Sequence, residues 1–423
     1  MSTHASQPHA PPRFFYGYWI VAFTFLCMLI SIGCGSFIYS LFVPPLQSVL
    51  GWSRGEIMVG FTIFFVMMGV ASPLVGRMVD KHGARHVIAL GAVVMGVGFV
   101  LLSVMSQLYL FFLGYVFIGT GAGAIGSVPC SAVVSNWFKK KRGMAIGLMS
   151  SGIGAGGLVM APVAGYLIEA IGWRGAYLSM ALIVWISIIP LALLTLRTRP
   201  EEMGLHPDGA LVAEALPSVG GGTSAGLSLR QAVAFSAFWL IAISYLLGNF
   251  SSMGGLQSQA PNLMDLGFPT GAAALALGAI GFGSGVGKFI FGWLCDRMSA
   301  RYASSIGLSL QALGLLVVIQ VGSGSSMAMI WTYSLLMGFG AGSWLPTVSI
   351  LTSTSFGLKH YGSIFGMITL LLNLGTATGP LIGGLIYDSV GTYHWAFVLF
   401  AALYAISLPA VLLVRRPKSY TPA

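Results

Sequence analysis

The chain has 423 residues, of which 56% are apolar and only 7% charged, and its mean hydropathy is +0.88. That composition excludes a water-soluble globule and points to a polytopic membrane protein. The formal net charge of +10 would suit an acidic partner, yet its placement along the chain, taken up below, gives it another meaning.

Apolar runs of about 20 residues, enough for a ~30 Å hydrocarbon core, recur twelve times. They cover residues 15–40, 55–78, 87–105, 107–136, 143–170 and 174–196, then 232–262, 271–295, 301–321, 326–355, 361–388 and 393–414. Run length and the lack of ~10-residue alternation predict helices rather than barrel strands. The first run is too long for a cleaved signal peptide and ends in "LFVPPLQ", without a small-residue cleavage site. Between runs six and seven, residues 198–229 lose the apolar pattern and gather Pro, Gly, Ser and acids, as a linker does. The expected organisation is a tail (1–14), a six-helix bundle (15–197), a linker (198–229), a second six-helix bundle (230–414) and a tail (415–423).

With the N-terminus in the cytoplasm, every Lys and Arg except Arg54, Arg174 and Lys288 falls on a cytoplasmic segment. The basic balance is therefore a topology signal: it predicts cytoplasmic termini in an inner or plasma membrane and no nucleic-acid partner. The basic run "KKKR" (139–142) sets topology and offers anionic lipids a contact. Cys27, Cys34, Cys130 and Cys295 lie in or beside membrane runs and form neither a disulfide framework nor a metal spacing. His4, His9, His82, His86, His206, His360 and His394 lie in tails or loops. No catalytic constellation, phosphate-binding loop or cofactor motif is present, so the sequence argues against an enzyme and against ATP drive.

The two halves resemble each other. "GRMVDKHGAR" (76–85) follows span 2 and "GWLCDRMSAR" (292–301) follows span 8; "GTGAGAIGSVP" (119–129) answers "GFGAGSWLP" (338–346), and "RGMAIG" (142–147) answers "YGSIFG" (361–366). Parallel six-helix repeats are the architecture of secondary transporters whose site lies between the halves near mid-membrane.

Gly76, Asp80, Lys81, Gly83 and Arg85 resemble the G-x-x-x-D-(R/K)-x-G-x-(R/K) loop of the major facilitator superfamily. The resemblance implies an all-α membrane protein with twelve transmembrane helices in two six-helix pseudo-repeats. "YGYWIV" (16–21) and "IYSLFVPPLQSVLGWSRGEI" (38–57) look like the opening of the monocarboxylate transporter and oxalate/formate antiporter branches. It implies cytoplasmic gating loops built on Gly76, Asp80, Lys81, Arg85, Asp296, Arg297 and Arg301. In those relatives a basic residue of span 8, four positions before a glycine and eight before an aspartate, is implicated in holding the substrate carboxylate; Lys288, Gly292 and Asp296 reproduce that spacing.

Lys288 stands out without the resemblance. All ten acids fall near one face or the other, which leaves none in the membrane interior to neutralise it, and Asp296 is about 12 Å of helix rise away. A lysine so placed costs on the order of 3 kcal/mol on insertion scales. It either meets an anion from solution in a wet cavity or snorkels to the rim. Gly281, Ser284, Gly285 and Gly292 share its helix face, a slim stripe suited to a cavity wall or to close helix packing.

Tyr39, Tyr115, Asn249, Tyr333, Trp344 and Asn373 complete the candidate substrate-binding set, as polar and aromatic residues suited to a small organic acid; each also fits an interface anchor or a helix tie. Three positions depart from the relatives. Asn373 stands where the oxalate type has a second base, Tyr39 where animal monocarboxylate carriers have a lysine, and Ser284 where those carriers have an aspartate. With no acid or histidine in the interior, Lys288 is also the candidate proton-coupling group. "GMITLLLNLGTATGPLIGG" (366–384) resembles an antiporter motif but lies in span 11; span 5, where that motif belongs, has Leu148 and Ala161 in place of glycines, so nothing about antiport follows. The expected function is a monomeric secondary carrier of small monocarboxylates. A drug or organic-solute exporter, an organic-anion exchanger and a non-transporting sensor are the alternatives; the last lacks a soluble output domain.

Overall fold

The computed structural model describes residues 15–52, 54–209, 226–268 and 270–415. The predicted tails, apart from Arg415, and the middle of the predicted linker lie outside the described residues.

Among the described residues, eleven helices are long and apolar enough to cross a membrane. The longest, Arg142–Thr195, runs for 54 residues but is interrupted at Gly172 (φ 73°, ψ 168°), a conformation that a side chain would strain. It therefore makes two crossings, and the described residues make twelve: span 1 Gly17–Phe37, span 2 Arg54–His82, span 3 Ala84–Val104, span 4 Leu108–Trp137, spans 5 and 6 at 142–171 and 173–195, span 7 Ser236–Asp265, span 8 Thr270–Arg297, span 9 Ala300–Ile319, span 10 Met327–Phe356, span 11 Tyr361–Val390 and span 12 His394–Leu412. The protein is an integral multi-pass membrane protein.

Three details go beyond the expected runs. Span 1 closes in a π-helical turn, Gly33–Phe37, and a separate helix Tyr39–Leu50 follows. Span 4 breaks at Gly126 and span 10 between Ala341 and Trp344, in each case shortly before a proline, Pro129 or Pro346. Proline has no N–H to give, so it sits in the first turn of the new helix at no hydrogen-bond cost. The repeated proline of the two halves thus marks a repeated break.

Equivalent helices pack alike in the two halves. Span 5 lies on span 1 through Gly156, where a Cβ would stand 2.6 Å from the Leu29 carbonyl, and span 11 lies on span 7 through Gly375 and Gly379. Span 4 meets span 3 at Gly121, and span 10 meets span 9 at Gly340, both with backbone 2.5 Å from a Cβ position. In a membrane, where apolar burial gives helices no drive to associate, such backbone proximity is what small residues provide.

Candidate functional site

Between the halves run two seams, related by the repeat. At one, span 2 meets span 11: a Cβ on Gly362 would lie 2.5 Å from the Gly76 carbonyl, and one on Gly366 would collide with the Ser72 carbonyl. At the other, span 8 meets span 5: a Cβ on Gly292 would lie 2.6 Å from the Gly143 carbonyl, and one on Gly147 would lie 2.5 Å from the Lys288 carbonyl.

Carboxylates tie both seams. Span 11 begins without a side-chain cap of its own; Asp80 supplies one from span 2, accepting the N–H groups of Gly362 and Ser363 at 2.8 Å each and the Ser363 hydroxyl at 2.6 Å. Span 5 likewise lacks its own cap, and Asp296 of span 8 accepts the N–H groups of Gly143 (2.6 Å) and Met144 (2.8 Å). The orphan donors and positive dipole end of each helix are thereby answered from the opposite half. Arg142 adds a bond from span 5 to Ser353 Oγ of span 10, at 3.1 Å.

The seams part away from these carboxylates. Eleven residues is three helical turns, which returns to nearly the same face. Gly281 precedes Gly292 by eleven and Gly154 follows Gly143 by eleven, yet neither has any neighbour within 4 Å of a Cβ position. On the other seam Asn373 follows Gly362 by eleven and still stands 3.0 Å from a Cβ on Gly69, whereas Gly384, eleven further, faces open space. The halves form a V, closed at the end that carries the two aspartates and open at the other.

Lys288 lies near the vertex. Its backbone is held between span 5, at Gly147, and span 10, where a Cβ on Gly342 would lie 2.6 Å from the Lys288 nitrogen. Its side chain is 4% exposed, and Nζ donates to Ser284 Oγ at 3.0 Å, one turn toward the open end. Among the described residues no carboxylate stands within ion-pair distance of it. A buried ammonium with a neutral partner is costly by itself and favourable once an anion arrives.

The other sequence candidates divide into groups. Asn373 is on the span 2–span 11 seam, 4% exposed, with its Nδ2 lacking any partner. Asn249 and Trp344 come together around a cavity of about 20 Å³ inside the second half, room for one water; the Asn249 amide donates to the Tyr245 carbonyl at 2.9 Å. Tyr39 and Tyr115 pack on each other, ring centroids 5.0 Å apart, with Phe61 and Phe111 beside them. The Tyr39 hydroxyl donates to the Ile57 carbonyl. Tyr333 is 1% exposed among second-half helices, and its hydroxyl has no partner. Among the described residues, the Lys288 side-chain hydrogen bond goes to Ser284 and not to any of these three tyrosines.

Of the loop residues, Asp80, Gly76 and Asp296 form the closed end. Arg85 instead donates to the Leu193 carbonyl of span 6. Arg297 lies over the Trp293 ring at 4.5 Å, Arg301 over the Tyr302 ring at 4.7 Å, and Lys81 is exposed. Sequence reasoning missed Gly143 and Gly362 as seam residues, and Tyr245, whose hydroxyl bridges Ser304 (2.8 Å) and Thr347 (2.6 Å) beside the Asn249 cavity. The repeat "RGMAIG"/"YGSIFG" was the signal for the two glycines. Among the described residues no group of His, Cys, Asp and Glu is arranged to hold a metal ion.

The sequence matches the Major Facilitator Superfamily over two overlapping stretches, residues 24–371 and 247–423. It is 28% identical to human monocarboxylate transporter 11 over 405 residues, covering 94% of this chain and 82% of that protein. It is 26% identical to mouse monocarboxylate transporter 12 over 429 residues, covering 97% and 88%. The fold is shared with the E. coli fucose:proton symporter FucP (TM-score 0.72, 13% identity, 96% of this chain and 100% of that one) and with the human organic anion transporter TETRAN (TM-score 0.71, 16% identity, 95% and 100%). With its twelve crossings in two repeats and its paired seams, the chain belongs to the Major Facilitator Superfamily, as a secondary transporter related to monocarboxylate transporters and not an enzyme.

Proposed function

We propose that the protein carries small monocarboxylates of the lactate, pyruvate and formate type, coupled to protons, by alternating opening of the two ends of the V. One observation carries the reading: the Lys288 ammonium lies near the vertex, and its hydrogen-bond partner is the neutral Ser284 hydroxyl. A carboxylate brings the missing charge and a charge-assisted hydrogen bond. A single ammonium favours monoanions, because the second charge of oxalate or succinate would be desolvated without a partner. The names of the relatives, monocarboxylate transporters 11 and 12, support the same class.

The distribution of Lys and Arg supports cytoplasmic termini and an inner or plasma membrane. The closed end, held by Gly76, Asp80 and Asp296 with Lys81, Arg85, Arg297 and Arg301 in the adjoining loops, is then cytoplasmic, and the V opens outward. Asn373, with a free buried amide on the other seam, is the second candidate for contact with substrate. Lys288 also carries the coupling proton: it is protonated when it receives the anion and gives the proton up once the anion has left on the other side, so that the pair crosses without net charge. The test is uptake of labelled L-lactate, pyruvate and formate into proteoliposomes. Uptake by the wild type that is lost in Lys288→Ala, with the variant still inserted and folded, supports the reading; equal uptake by both contradicts it.

A further inference from the structure

We infer that the linker is a working part of the closed end: Asp208 positions the start of span 5 so that Asp296, from the other half, can close on it. The inference goes beyond substrate recognition and rests on the reading above only in that this end opens and closes during transport.

After span 6 the segment "RTRPEEMGLHPDG" (197–209) stays on the first half. Trp137 Nε1–H donates to the Arg197 carbonyl (2.9 Å), the Asn136 amide to the Thr198 carbonyl (3.2 Å) and the Ala84 N–H to Thr198 Oγ1 (3.0 Å). Two short helical turns, Pro200–Met203 and Pro207–Gly209, then bring Asp208 to the loop between spans 4 and 5. There Asp208 Oδ2 accepts the N–H groups of Lys139 (3.0 Å) and Lys140 (2.7 Å). Asp208 does so from φ 59°, ψ 10°, and it is the only non-glycine at positive φ among the described residues. A residue with a side chain keeps that conformation where its contacts fix it, and aspartate and asparagine tolerate it better than most.

Two carboxylates thus hold the approach to span 5 within six residues. Asp208 takes Lys139 and Lys140, and Asp296 takes Gly143 and Met144. Arg142 stands between the two pairs and is attracted by both carboxylates. Where Asp208 fixes Lys139 and Lys140 decides where Gly143 and Met144 present their N–H groups. The Asp296 bonds cross between the halves and break when this end opens; the Asp208 bonds keep the loop in place for re-closure. The far end of the linker repeats the arrangement. The Leu227 N–H donates to the Phe356 carbonyl (2.9 Å) and Gly226 bridges to Gly357, on the loop that leads into span 11 and the Asp80 contact.

The experiment measures thiol labelling of Ser72→Cys, on the other seam, in the purified full-length protein, with the labelled site identified by mass spectrometry. Asp208→Gly removes the carboxylate at a backbone conformation that glycine accepts, and labelling quickens by at least about threefold. Asp208→Asn, whose side-chain oxygen can accept the same N–H groups, stays within about twofold of the parent. In an Asp296→Ala background, itself faster than the parent, Asp208→Gly adds less than about 1.5-fold, because the contact it serves is gone. Lys139→Pro is the second variant should Asp208→Gly not fold: Phe138 already has the extended conformation (φ −123°, ψ 131°) that precedes a proline, and the change removes one of the two donors. It quickens labelling in the same direction. Asp208→Gly at the parent rate while Asp296→Ala is faster, or an equal acceleration by Asp208→Gly in both backgrounds, overturns the inference alone. Labelling unchanged even in Asp296→Ala overturns the reading that this end opens, and the inference with it.

Discussion

Asp80 and Asp296 make the same contact from opposite halves: each accepts the N–H groups of the second and third residues of a helix across the seam, Gly362 and Ser363 for one, Gly143 and Met144 for the other. Neither recipient helix has a cap of its own. Because these bonds cross between the halves, they stabilise one arrangement of the halves rather than either half alone.

Replacing either aspartate by alanine leaves those donors to water and removes a carboxylate from a positive helix end. The expected loss is about 1 kcal/mol of preference for the closed end, discounted because both sites are partly open to solvent. Thiol labelling of a cysteine placed at Ser72 reads it: the variants label faster than the parent, and unchanged labelling would mean the carboxylates do not hold the seam.

The stripe glycines separate the two states of the carrier. Gly292→Ala places a methyl 2.6 Å from the Gly143 carbonyl, so the closed end cannot form as seen and uptake falls by more than about tenfold. Gly281→Trp meets open space here and leaves this state intact, but obstructs closure of the open end. It should retain the ligand-induced rise in thermal midpoint while losing transport. Transport at the wild-type rate by Gly281→Trp would show that the open end does not close along this face.

Within the second half, the Tyr245 hydroxyl bridges Ser304 and Thr347 in a fully buried position. Tyr245→Phe removes it and leaves two hydroxyls without that partner, for an expected loss of about 1–3 kcal/mol. A lower midpoint in a detergent unfolding series with the lactate, pyruvate or formate affinity unchanged is the predicted outcome.

The fold was legible because each crossing needs its own apolar run, and even the Gly172 break fell in the gap expected between 170 and 174. The seams were only half legible. The repeat placed Asp80 and Asp296 in equivalent positions, but a glycine that meets the opposite half, such as Gly76, looks in sequence like Gly156, which packs within its own half. Lys288 was found because a charge in an apolar run is conspicuous. A tyrosine in such a run is not: Tyr39 reads the same whether it faces a cavity or, as here, lies against Phe61 and Tyr115.

Coupling has its own test in the chemistry of the side chain. A lysine amine can release and regain a proton during transport, whereas an arginine guanidinium stays charged throughout. Wild-type uptake should therefore quicken as the pH on the loading side falls. Lys288→Arg should keep substrate exchange across the membrane but lose net proton-linked uptake under an imposed pH gradient. Normal net uptake by the arginine variant would place the coupling proton elsewhere.

The central claim, that Lys288 receives the substrate carboxylate, is tested most directly by the thermal midpoint of purified wild-type protein and Lys288→Ala against formate, pyruvate and L-lactate. A ligand that binds only the folded state raises the midpoint. The account predicts that at least one of the three acids stabilises the wild type and that none stabilises the variant; an acid that stabilises both equally would contradict it.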